Sequence, residues 1–203
     1  IEVDAPQGRP YRAYLDEVVL YQQKQKNLAS EISGCKNKAT ELCEIASYLY
    51  RTYQQMKTFY PGEVNDEAFK DRTKVLLIEC LTILNNFPEE IEGHLFTQAN
   101  RLIHNIFYTF LSDRLFKEEE INEMVLPIPL LPFRINAFFT IGLFFEEQGN
   151  TNKRNEYFLK ATTLIPENIN SSIEDDGEKI IFYKGIISSI KKNRDMDFER
   201  LLS

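Results

Sequence analysis

Apolar residues recur three and four positions apart along most of this chain. Leu42, Ala46, Leu49, Tyr53 and Met56 follow one another at steps of 4, 3, 4 and 3. That spacing places all five on one face of an α-helix, whose period is 3.6 residues. No stretch shows the strict alternation of a half-buried strand. Gly and Pro number only 8 each in 203 residues, too few for an all-β fold built on many tight turns. The expected fold class is all-α, with antiparallel helical hairpins either stacked as an array or gathered into an irregular bundle.

The same stepping delimits the helices. Tyr14, Val18, Tyr21, Leu28 and Ile32 mark a first long helix that closes near Gly34. The second, from Leu42 to Met56, stops at Pro61-Gly62. Leu77, Leu81 and Leu84 mark a third, with Val75, Ile78 and Cys80 widening its apolar face. Asn85-Asn86-Phe87-Pro88 breaks it, and Pro88 suits the first turn of the next helix, with Glu89, Glu90 and Glu92 at its positive end. The fourth helix has Leu95, Ala99, Leu102, Ile106 and Phe110 on one face and Ile103, Phe107 and Leu111 beside it. So broad an apolar surface requires burial on two sides. A short acidic helix follows at Lys117 to Glu123. Pro127, Pro129 and Pro132 then force an extended connector whose apolar side chains pack on the bundle. Shorter helices are expected over 133–148, 151–165, 177–192 and 195–202, with a capping box at Asp175 and Glu178. The expected organisation is an extended tail over 1–10 and one α-helical domain over 11–203. Within it, 11–124 is a long-helix half, 125–132 a proline-rich connector and 133–203 a half of shorter hairpins.

Composition excludes several classes of function. Hydrophobic residues at 43% and charged residues at 27% are ordinary for a globular protein and rule out wholesale disorder. The net charge of −7 argues against a nucleic-acid surface, which needs clustered Lys and Arg. The only basic cluster, Lys191-Lys192-Asn193-Arg194, runs straight into Asp195 and Asp197. The longest apolar stretch, Met124 to Leu131, is interrupted by prolines and far short of the roughly 20 residues that cross a bilayer. The chain opens on Ile1 with no signal-type apolar run, as expected of a processed form or an excised fragment. Cys35, Cys43 and Cys80 are spaced like neither a zinc site nor a disulfide framework. An odd set of thiols fits a reducing, cytoplasmic or nuclear setting, with Cys43 and Cys80 as small buried side chains.

One stretch of 34 residues, Ile135 to Asn168, carries a denser pattern. Phe138, Ile141-Gly142 and Phe145 stand on a first helix, Gly149-Asn150 at a turn, and Phe158, Ala161, Leu164 and Pro166 on and after a second. In length and in these positions it resembles a tetratricopeptide repeat (TPR). Gly142 would let the second helix approach closely, Phe138, Phe145 and Phe158 would fill the space between, and Pro166 would end the hairpin. Arg154 departs from the pattern, where the family carries a small Ala. Its long side chain should push the helices apart or run its stem out to solvent. A fainter echo has Tyr183-Lys184-Gly185 in place of the Leu-Gly step and Phe198 on a partner helix.

The resemblance implies a TPR-like half over 133–203 and a groove lined by outward residues of the first helix, here Asn136, Phe139, Leu143 and Glu146. It implies an adaptor or scaffold that binds a protein or peptide, as a member of a larger complex and without catalysis. The basic positions that clamp a carboxylate in chaperone-binding members are absent. An alternative is the peptide-sensing helical domain of a bacterial transcription regulator, and a third is an α-helical enzyme. Catalytic, metal and cofactor patterns are not found. His94 and His104 are ten residues apart with no HExxH, and no phosphate loop or GxSxG occurs. His104, among Ile103, Phe107 and Tyr108, is expected to be hydrogen-bonded and partly buried. Tyr48, Tyr50, Tyr53 and Tyr60 suit either a partner groove or the edge of the core.

Overall fold

The computed structural model describes residues 35–61, 67–89, 91, 93–165 and 178–192. Among them there are seven helices and no strand, so the fold is all-α. The helices are α1 (Cys35–Phe59), α2 (Glu67–Leu84), α3 (Gly93–Ser112), α4 (Glu118–Val125), α5 (Leu131–Glu147), α6 (Thr151–Thr163) and α7 (Glu178–Lys192). The tail over 1–10, the helix from Tyr14 to Ile32, the cap at Asp175 and the helix over 195–202 lie outside the described residues.

The chain divides into two compact units, Ile1–Pro88 and Glu89–Ser203. The division falls at the Asn85–Pro88 break. The proline-rich stretch over 125–132 packs its apolar side chains into the second unit. Ile128 and Leu130 are buried, and the Arg134 guanidinium donates from Nε and Nη2 to the Ile128 carbonyl at 3.0 and 2.5 Å.

In the first unit α1 packs on α2. Leu42, Ala46, Leu49, Tyr53 and Met56 are all buried, as are Leu77, Cys80, Leu81 and Leu84. Close approach is marked by the Cys80 thiol, which donates to the Ala46 carbonyl at 3.2 Å. Cys43 is also a buried free thiol. Val75 and Ile78, expected to widen the apolar face of α2, are instead 63% and 40% exposed. At about 100° per residue Val75 falls on the side opposite Leu77 and Leu84, and Ile78 on the flank between. Tyr50 and Tyr53 are buried with ring centroids 6.1 Å apart, which assigns them to the core and not to an open groove.

In the second unit α3 touches α4, α5 and α7. Its broad apolar surface is buried accordingly, from Phe96 through Ala99, Ile103, Ile106 and Phe107 to Phe110. Pro88 does not open this helix. It stands in the turn after α2, and α3 begins at Gly93, whose φ of 70° needs no side chain. The helix ends in a Schellman motif: Leu115 N donates to Phe110 O at 3.0 Å and Arg114 N to Leu111 O at 3.1 Å. Arg114 occupies the left-handed position with φ 52°. In α4, the Glu120 side chain accepts from Lys117 N at 2.7 Å, closing half of a capping box. Along α7, Tyr183, Ile186 and Ile190 are buried at helical spacing, and Phe182 meets Phe96 of α3 edge-on at 5.7 Å.

Candidate functional site

The α5–α6 hairpin carries the residues that the sequence nominates for binding. Its turn is encoded locally. Gly149, at φ 69°, ends α5 in a second Schellman motif, with Asn150 N donating to Phe145 O and Gly149 N to Glu146 O, both at 2.9 Å. Asn150 then caps α6 by accepting from Lys153 N at 3.2 Å. The helices run back against each other so closely that a Cβ on Gly142 would overlap the Phe158 ring. Phe138, Ile141, Phe158 and Ala161 are buried between them, and Phe145, half-buried, stacks on Tyr157 at 5.6 Å.

A second face of α5 is committed to α3 through polar contacts. Asn136 Nδ2 donates to the Asn100 carbonyl at 2.6 Å and to its Oδ1 at 3.2 Å. Thr140 Oγ1 donates to the Asn136 carbonyl at 2.8 Å, and His104 Nδ1 stands 2.9 Å from that hydroxyl. One turn on, Tyr108 packs edge-on against Phe144 and donates its hydroxyl to Glu147 at 2.6 Å. His104 is therefore hydrogen-bonded and half-buried, as its apolar neighbours suggested. Burial lowers its pKa below the usual 6.5, with Glu147 opposing the shift.

These contacts separate the four nominated groove residues. Asn136 is only 6% exposed and its amide is satisfied by Asn100, so it belongs to the α3–α5 seam and not to an open groove. Phe139 is half-buried and stacks on Phe158 at 5.4 Å. Leu143 and Glu146 are half-buried and stand at the same helical register as Phe139. The stripe that retains access is thus Phe139, Leu143 and Glu146.

Arg154 behaves differently from either expectation. It is 7% exposed, its Nε donates to Asn155 Oδ1 at 3.0 Å, and its Nη2 is buried without a partner. The echo at Gly185 lacks the close approach of Gly142, since a Cβ there would meet nothing within 4 Å.

Periodicity gives no hint of Tyr157 as a tie between α6 and α4. Its fully buried ring delivers a hydroxyl that donates to Glu118 Oε1 at 2.9 Å and accepts from Asn122 Nδ2 at 2.6 Å. Lys153 pairs with the other Glu118 oxygen and lies over the Phe145 ring, 5.0 Å from its centroid. Burial, reinforced by the Glu118 carboxylate, raises the Tyr157 pKa and keeps the phenol neutral. The partners are 35 and 39 residues apart, too far for any local pattern to join them.

Among the described residues no three of His, Cys, Asp and Glu gather as a metal site, and no helix is long and apolar enough to cross a membrane. Compared with protein-family models, curated proteins and solved structures, the chain matches none.

Proposed function

We propose that this chain is a non-catalytic adaptor or scaffold, built around one TPR-like hairpin, that binds a protein or peptide partner along α5. The observation that carries the reading is the fit of Gly142 to the Phe158 ring, together with the half-exposed stripe of Phe139, Leu143 and Glu146 beside it. A glycine at a helix crossing and a capped Gly-Asn turn are what a repeat hairpin needs, and repeat hairpins expose a continuous face that binds chains. Two apolar residues and one carboxylate on that face suit an amphipathic segment with a basic edge. The reading includes a cytoplasmic or nuclear setting, supported by the free buried thiols Cys43 and Cys80.

The test is site-specific photo-crosslinking in native extract. A photoreactive residue at Leu143 or Glu146 should trap a discrete partner that a probe at exposed Lys184 does not. Leu143→Asp should abolish the product while leaving the melting temperature within a few degrees. Identical products from Leu143 and Lys184 would remove the proposal.

A further inference from the structure

At the foot of α5, away from the Phe139–Glu146 stripe, the second unit contains a pocket of about 290 Å³. Its lining is mostly apolar: Phe133 is fully buried, and Phe96, Ile91 and Leu130 are 2%, 6% and 8% exposed. Tyr183 enters from α7 and is itself 7% exposed. Its ring packs on Phe182, with centroids 5.6 Å apart. Desolvation pushes its pKa up to about 12, so the phenol is neutral at physiological pH. An exposed carboxylate, Glu89, stands at the rim.

Each feature restricts the occupant. An enclosed apolar cavity of about 150 Å³ holds benzene, and this pocket, which is open on one side, has about twice that room. Pockets for drug-sized ligands span about 300–1,000 Å³, so this one lies at the small end. A single ring with a short substituent fits. A neutral phenol on the wall can both donate and accept, so it favours a ligand that hydrogen-bonds over a bare hydrocarbon. Apolar walls with a carboxylate at the mouth disfavour an anion.

We propose that this pocket is a binding site for an uncharged group of single-ring size that hydrogen-bonds to the Tyr183 hydroxyl. The group is either a free small molecule or an aromatic side chain presented by a peptide. The site needs neither the hairpin face nor a TPR-like geometry, so it stands or falls separately from the reading above.

Calorimetric titration of the intact protein at neutral pH tests it with four probes: p-cresol, toluene, p-toluate and N-acetyl-tyrosinamide. p-Cresol should saturate with a dissociation constant of about 1 mM or tighter, as eight heavy atoms allow. Tyr183→Phe should weaken p-cresol by about 3–10-fold, the range of one hydrogen bond, and leave toluene unchanged. p-Toluate should bind at least about tenfold more weakly than p-cresol. Binding of N-acetyl-tyrosinamide as well as p-cresol identifies a presented side chain, and binding of p-cresol alone identifies a free molecule. Leu130→Trp should fill the space and abolish all binding. If that variant does not fold, the comparison of Tyr183→Phe on p-cresol and toluene still decides. Absence of saturation by p-cresol, or equal p-cresol affinity in wild type and Tyr183→Phe, overturns the proposal.

Discussion

Gly142 has no side chain, and the Phe158 ring lies where one would begin. In an open helix, Gly→Ala gains up to about 1 kcal/mol. Here the added methyl must displace a fully buried ring, and overpacking of that kind costs about 1–3 kcal/mol. Gly142→Ala should therefore lower the melting temperature, and Gly185→Ala, which meets nothing, should raise it. A rise for both would refute the close hairpin. His104 makes a prediction about pH. Its folded pKa lies below the unfolded value of 6.5, so the unfolded chain binds the proton more tightly. The contribution of this group is complete above pH 6.5 and declines as pH falls from there toward the folded value. His104→Gln should flatten the slope of melting temperature against pH across that acid side. An unchanged slope would show that the ring is not the group responsible.

At the scale of the element, helix ends are set by short backbone motifs with clear residue demands. α3 and α5 end in the same Schellman geometry, but one has Gly149 at the left-handed position and the other Arg114. A non-glycine residue there costs roughly 1–2 kcal/mol. Arg114 is exposed, so Arg114→Gly should raise stability by up to about 1 kcal/mol, read as a higher urea midpoint. A lower midpoint would mean that the side chain contributes more than its backbone strain. These elements also show what the sequence reveals. The 3-and-4 stepping locates α1, α3 and α5–α6, because burial on one face leaves a periodic trace. Val75 and Ile78 mislead because residue type alone does not say which side of α2 meets α1. Asn136 misleads because a polar residue at an outward repeat position reads as accessible until α3 covers it. Tyr157 and the Tyr183 pocket leave no local trace, since each is assembled from segments far apart in the chain.

For the molecule as a whole, division at Pro88–Glu89 implies that stability is not one quantity. Cys80 in the first unit is fully buried and its thiol pKa is raised by desolvation, so it reacts only when α1 and α2 separate. Gly142→Ala should speed amide exchange in α5 and α6 while leaving the labelling rate of Cys80, followed by peptide mass spectrometry, unchanged. Acceleration of both would mean that the two units open together.

Thr140 has one hydroxyl hydrogen, and a donor has to choose. That hydrogen goes to the Asn136 carbonyl, so toward His104 the oxygen can only accept. The imidazole must then carry its own hydrogen on Nδ1 and keep the lone pair on Nε2, the tautomer less common for histidine in water. The order of donation runs one way, from ring to hydroxyl to main chain, and the Asn136 amide continues it into α3. A seam that fits in only one sense of donation fixes the register of α3 against α5 as firmly as shape does, and nitrogen-15 NMR of the His104 ring would read that sense directly.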